Sequence, residues 1–210
     1  MIEIIPSINA PTFQEVTERI TKVEPYVSWC HLDVTDGVFS AHSTWNNPTD
    51  LSALHTKLNV EVHLMIQEPE TTIDQWLVHP IMRVIVHLEA SEDIGGIIEK
   101  CKKAGIECGV AIRPDTPIDA LIPWIHKADI LQILAVNPGP SGQEMSSDIA
   151  DKISHLHNVC QECIIEVDGG INPDTVALAR EAGAKLFVSG GYIFSKSDIN
   201  TAIKELKNSS

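Results

Sequence analysis

The stretch Ile164-Ile165-Glu166-Val167-Asp168-Gly169-Gly170-Ile171-Asn172-Pro173 leads into a helical pattern that runs to Ala182, and Leu186-Phe187-Val188-Ser189 follows. Together they make one strand–helix–strand unit. Residues 164–167 are a short apolar, β-branched run bounded by a glycine pair, which is strand punctuation. Asn172 before Pro173 is a sound helix start, because the first turn leaves N–H groups that Asn can cap and that Pro does not need. Gly183 ends the helix, where a left-handed backbone is easiest without a side chain. Two apolar strands joined by a helix favour parallel pairing through a right-handed crossover.

The same alternation extends outward over the whole chain. Strands are predicted at 3–8, 29–34, 60–66, 84–88, 107–112, 130–136, 164–167 and 186–189. Helices are predicted at 12–23, 70–77, 91–104, 118–125, 147–157, 173–182 and 198–206, with a weaker one near 49–57. Runs as continuously apolar as 130–136 suit strands buried on both faces. Eight such units in 210 residues predict an α/β fold, a single-domain (β/α)8 TIM barrel over residues 1–210.

Hydrophobic residues at 43% and charged residues at 21% allow a buried core and argue against disorder. No apolar run approaches bilayer length and no signal-type segment opens the chain, so a cytoplasmic protein without membrane contact is expected. The net charge of −14 argues against nucleic-acid binding. An anionic ligand would have to be held locally, by backbone N–H groups, against that field. The oligomeric state is left open, and a homo-oligomer is compatible with the sequence.

Five cysteines at irregular spacing do not read as a disulfide framework. Cys30, Cys101 and Cys108 read as small core residues. His155, His157, Cys160 and Cys163 could be counted as zinc ligands, but residues two apart on a helix do not share a face, and no second Cys-x-x-Cys follows.

In a barrel of this kind the chemistry sits at the C-terminal ends of the strands. Those ends read Pro6-Ser7-Ile8, His31-Leu32-Asp33-Val34-Thr35-Asp36-Gly37, Val62-His63-Leu64-Met65-Ile66 and Glu166-Val167-Asp168-Gly169-Gly170. His31 and Asp33 are two apart and project from one face of a strand. His63 interrupts one apolar run and Asp168 ends another. Two imidazoles and two carboxylates suit one divalent ion, Zn, Fe(II), Mn or Co, and do not choose among them. Gly139-Pro140-Ser141-Gly142, Gly169-Gly170 and Gly190-Gly191 follow the last three strands, where such barrels hold phosphate on backbone N–H groups.

These motifs, in this order, resemble those of the ribulose-phosphate 3-epimerases. The resemblance runs from Pro6-Ser7-Ile8 to Gly190-Gly191-Tyr192-Ile193-Phe194. It includes His31-x-Asp33-x-x-Asp36-Gly37, His63-Leu64-Met65-Ile66, Val136-Asn137-Pro138-Gly139 with Gly142-Gln143, and Val167-Asp168-Gly169-Gly170. It implies His31, Asp33, His63 and Asp168 as metal ligands, Asp33 and Asp168 as the acid–base pair, and Ser7 and His63 as substrate contacts. The implied substrate is a phosphorylated ketose, ribulose or xylulose 5-phosphate, with no organic cofactor. The chemistry agrees: two carboxylates on opposite faces can remove and return the proton next to a ketone. A ketohexose 6-phosphate such as allulose 6-phosphate is the alternative substrate, and a catalytically silent sugar-phosphate-binding barrel the alternative class. Barrels that decarboxylate or condense sugar phosphates carry Asp-x-Lys-x-x-Asp, and Asp33-Val34-Thr35-Asp36 has no Lys.

The chain departs from the family at several points. Thr35 and Leu134 stand where methionines line the family's pocket floor, Pro140-Ser141 where Phe-Gly is usual, and Gly191 where Ser is frequent. The segment 39–47 lacks the usual Pro-Asn pair; Trp45 and His42 there are expected in surface or interface packing. Arg113 is expected at the mouth or in a surface salt bridge, and His87 as a partner of a ligand rather than a ligand.

Overall fold

In a computed structural model that describes residues 2–209, eight parallel strands close into a barrel in chain order. They are β1 (Glu3–Ile8), β2 (Trp29–Thr35), β3 (Asn59–Met65), β4 (Ile81–His87), β5 (Glu107–Ile112), β6 (Ile130–Leu134), β7 (Ile165–Asp168) and β8 (Leu186–Ser189). The barrel closes through β1 against β8. Every predicted strand is present, within a few residues of its expected bounds.

Helices α1 (Phe13–Val23), α2 (Ile94–Ala104), α3 (Ile149–Val159), α4 (Pro173–Ala182), α5 (Gly191–Ser195) and α6 (Ile199–Ser209) pack outside. The Thr12 hydroxyl caps α1 through the Glu15 N–H. Asn172 and Thr175 form the reciprocal cap of α4, and Gly183 ends that helix. Each helix buries one stripe, for instance Val16, Ile20 and Val23 of α1.

Three predicted helices are not α-helices. The segments at 49–57, 70–77 and 118–125 form 3-10 turns instead, at Pro48–Ala53, Pro69–Thr71 with Ile73–Gln75, and Ile118–Trp124. Pro123 lies inside the last, and a proline there removes a ladder donor. Between β3 and β4, the buried Ile73 and Trp76 cover the barrel from tight turns. The five-residue α5 was not expected, being too short to show a helical period.

One cysteine expectation is corrected. Cys160 and Cys163 form a disulfide, with Cα atoms 5.4 Å apart. Helix α3 stops at Val159, and the turn through Gln161 and Glu162 folds the two thiols together. Cys30, Cys101 and Cys108 are free and buried, as expected.

Candidate active site

Strand register assembles the site. Asp33 on β2 sits directly beside His63 on β3, and Ser7 on β1 beside His31. Asp168 ends β7 across the barrel. The four side chains His31, Asp33, His63 and Asp168 are buried, and one donor atom from each lies within 4.8 Å of the others. His31 Nε2 is 3.2 Å from Asp33 Oδ1 and 3.8 Å from Asp168 Oδ2. His63 Nδ1 is 3.3 Å from Asp168 Oδ2 and 3.7 Å from Asp33 Oδ1. The Ser7 hydroxyl donates to Asp33 Oδ2 at 2.5 Å.

The far side of each imidazole is already engaged. His31 Nδ1 lies 2.7 Å from Glu61 Oε1, a carboxylate, so Nδ1 carries a proton, and in the neutral ring Nε2 is the nitrogen that would turn a lone pair into the cluster. His63 Nε2 is 2.8 Å from His87 Nε2, and His87 Nδ1 is 3.1 Å from Glu89 Oε2. Read back from Glu89, Nδ1 of His87 donates to the carboxylate and its Nε2 accepts from His63 Nε2, so in the neutral ring Nδ1 of His63 is the nitrogen that would offer a lone pair. His31 Nε2 and His63 Nδ1 are the atoms without a well-directed hydrogen bond, although both are fully buried. Deprotonated, these two nitrogens would turn lone pairs toward two carboxylates, an arrangement that fits a divalent cation.

The proton affinities carry the same message. Burial alone would lower His31, but its contacts with Asp33, Glu61 and Asp168 raise it well above the usual imidazole value. Burial likewise opposes His63, which Asp168 and Asp33 raise. Asp33, despite a burial penalty, is held far below the carboxylate range by the two imidazoles. Without a cation, the site holds protons where positive charge is needed. His87, by contrast, is pushed down to about 4, chiefly by burial, and stays neutral.

A cavity of about 580 Å³ opens above this cluster at the C-terminal ends of the strands. Ser7, Asp33, Gly139, Ser141, Gly142, Asp168, Gly169, Gly170, Gly190 and Gly191 all line it. His31 and His63 lie behind its floor. The glycines permit close approach of backbones: a Cβ on Gly170, at φ +67°, would meet Met145 N at 2.4 Å, and one on Gly191 would meet Gly142 Cα at 3.0 Å. Leu134 lines the cavity, whereas Thr35 is buried and bonded through its N–H to Thr44 Oγ1 at 2.9 Å.

The segment after β2 folds over one edge of the mouth. Trp45 is not a surface residue: it is 6% exposed and packs on Phe13 and Trp76. His42 Nε2 lies 3.0 Å from Asn9 Oδ1, while Asn9 Nδ2 donates to the Gly139 carbonyl at 3.2 Å. Arg113 pairs with Asp115 at 3.5 Å and lies over Phe39, which in turn packs on His87. Asn9 and Glu61 were not singled out from the sequence. Each lies two residues from a marked one, Ser7 or His63, and period two on a strand was the available signal.

The sequence pattern described as the Ribulose-phosphate 3 epimerase family matches residues 3–194. The chain belongs to the ribulose-phosphate 3-epimerase family. It is 34% identical over 217 residues to a ribulose-phosphate 3-epimerase of Bacillus subtilis, covering all of both chains. It is 35% identical to a chloroplastic ribulose-5-phosphate-3-epimerase of Arabidopsis thaliana, covering 99% of this chain and 77% of the relative. Among solved structures, a 3-hexulose-6-phosphate synthase superposes with a TM-score of 0.75 at 17% identity over 99% of both chains, a likeness of fold. Within the family's chemistry the chain is an isomerase of the epimerase type. Among the described residues no helix is long and apolar enough to cross a membrane.

Proposed function

We propose that the protein is a metal-dependent 3-epimerase that interconverts D-ribulose 5-phosphate and D-xylulose 5-phosphate. The observation that carries the metal is the pair of orphaned imidazole nitrogens facing Asp33 and Asp168 in a buried cluster. His31, Asp33, His63 and Asp168 would hold one divalent ion. When bound, that ion supplies Lewis-acid stabilisation of the oxygen charge that develops as the carbon next to the ketone loses its proton.

Asp33 and Asp168 are the acid–base pair. They stand on β2 and β7, on opposite sides of the cavity floor, so one carboxylate can take the proton from one face while the other delivers a proton to the opposite face. The Ser7 hydroxyl orients Asp33 and reaches the substrate edge of the cavity. His63, braced by His87, keeps its Nδ1 turned toward both carboxylates. The loops around Gly139–Gly142, Gly169–Gly170 and Gly190–Gly191 hold the phosphate on backbone N–H groups, which a net charge of −14 makes necessary.

The test compares turnover of pentulose 5-phosphate and hexulose 6-phosphate by metal-loaded protein. Preference for ribulose 5-phosphate supports the reading. Preference for allulose 6-phosphate moves the substrate, and turnover of neither removes the enzymatic claim.

A further inference from the structure

Below the cavity floor a row of charged side chains crosses the barrel wall from strand to strand, past a register shift between Val60 and Glu61 in the β3–β4 pairing. His31 on β2 is the Cα partner of Glu61 on β3, Glu61 of Arg83 on β4, and Arg83 of Glu107 on β5. Each neighbouring pair is also joined side chain to side chain. His31 Nδ1 donates to Glu61 Oε1 at 2.7 Å, Arg83 Nη1 donates to Glu61 Oε2 at 2.5 Å, and Arg83 Nε donates to Glu107 Oε2 at 2.8 Å. The Arg83 guanidinium lies 4.3 Å from the Trp29 ring centre, which fixes its plane. His31 and Glu61 are fully buried, Arg83 is 6% exposed, and Glu107 reaches the solvent.

We infer that Arg83 is a positioning residue for the metal-binding imidazole of His31, acting through Glu61. The inference rests on the metal reading of the four-residue cluster. A buried ion pair is weak evidence for stability, since packed apolar residues often serve a core as well or better. What this pair does supply is direction. Arg83 holds one oxygen of Glu61, so the other stays aimed at His31 Nδ1; that bond fixes the tautomer and ring plane that leave Nε2 facing the site. Glu166, also buried, has one oxygen 3.9 Å from Arg83 Nη1 and no hydrogen bond to it. With Arg83 absent, Glu61 and Glu166 would face each other in the barrel interior, and Glu61 Oε2 would lose the partner that fixes its orientation, leaving only the bond to His31. Lys could supply the charge but not the planar fork that spans Glu61 and Glu107.

The experiment is cobalt(II) titration of the chelator-stripped full chain, read by competition with a metal dye and by the visible spectrum of the bound cobalt. Arg83→Met is expected to weaken cobalt binding roughly tenfold, the low end for partners behind a ligand, and to alter the spectrum, with Arg83→Lys recovering part of the loss. A folded Arg83→Met chain with unchanged affinity and spectrum overturns the inference and leaves the metal site standing. Should Arg83→Met fail to fold, Glu107→Gln decides, because Glu107 is at the surface end of the row: about threefold weaker binding supports the inference, on the same principle scaled down, and unchanged binding overturns it. A wild-type chain that takes up no cobalt instead overturns the metal reading itself.

Discussion

Replacing Asp168 by Asn separates the two halves of the proposed reaction. The change is isosteric at a side chain that is 7% exposed, so no cavity opens and the barrel stays folded. What is lost is one of two proton carriers. Asp168 Oδ2 sits 3.3 Å from His63 and 3.8 Å from His31, and an amide there cannot take up or release a proton at neutral pH. General acid–base catalysis contributes typically 10²–10⁴-fold, so epimerisation should slow by about that factor, a barrier higher by about 2.7–5.4 kcal/mol. Asp33 remains in place, bonded to Ser7, and still faces one side of the substrate. It can remove the proton from one epimer and return a solvent proton to the same face. In deuterated water at saturating metal, NMR should therefore show label entering one epimer while conversion to the other is lost. The mirror variant Asp33→Asn should exchange the opposite epimer. Epimerisation by Asp168→Asn within tenfold of wild type would refute the two-carboxylate mechanism, and exchange into both epimers without Asp168 would refute the assignment of faces.

Three further outcomes follow from the site. Gly170→Ala places a methyl 2.4 Å from Met145 N at φ +67°; the backbone cost of about 1–2 kcal/mol, before any displacement of the loop, should lower Tm by roughly 2–8 °C and raise KM for the phosphorylated substrate, and a chain unchanged in both would clear the glycine loops of their role. Asn9→Leu unties the segment after β2 from the loop after β6, removing two hydrogen bonds at 3.0 and 3.2 Å; at about 1 kcal/mol each KM should rise roughly tenfold or more with kcat little changed, whereas a loss confined to kcat would place Asn9 in the chemistry. The third concerns pH. His31 and His63 have raised proton affinity in the metal-free chain, so the stability they contribute is complete below the ordinary value of 6.5 and is lost as pH rises through their raised values. Chelated protein should thus melt at falling temperature as pH is raised from about 6.5, and metal uptake should release protons; calorimetry in buffers of different ionisation enthalpy reads both, and a metal-free chain that gains stability over that range would contradict the sign.

Much of this was legible in the residues. Strand and helix periods, with Gly and Pro as punctuation, were enough for an eight-fold barrel, because a strand buried on both faces must be continuously apolar and a crossover helix must have one apolar stripe. The 3-10 turns at Pro69–Thr71 and Ile73–Gln75 escaped that reading, since an apolar period of a few residues fits a turn and a helix alike. The disulfide escaped it too: a helix pattern across 147–157 does not say where the chain turns, and only the stop at Val159 brings Cys160 and Cys163 together. His31 and Asp33 could be placed on one face by their spacing alone. That Asp168, far along the chain, closes on them within hydrogen-bonding range of His63 depended on barrel closure and strand register. The same holds for the row His31, Glu61, Arg83 and Glu107, in which the last three each look like an unremarkable polar residue of their own strand. Sequence sets which residue types lie on which face, because the side-chain period is a local property of the backbone. Register is a property of pairs of strands, settled by packing the whole barrel, and it alone decided that these charges form one hydrogen-bonded line ending on the candidate metal site.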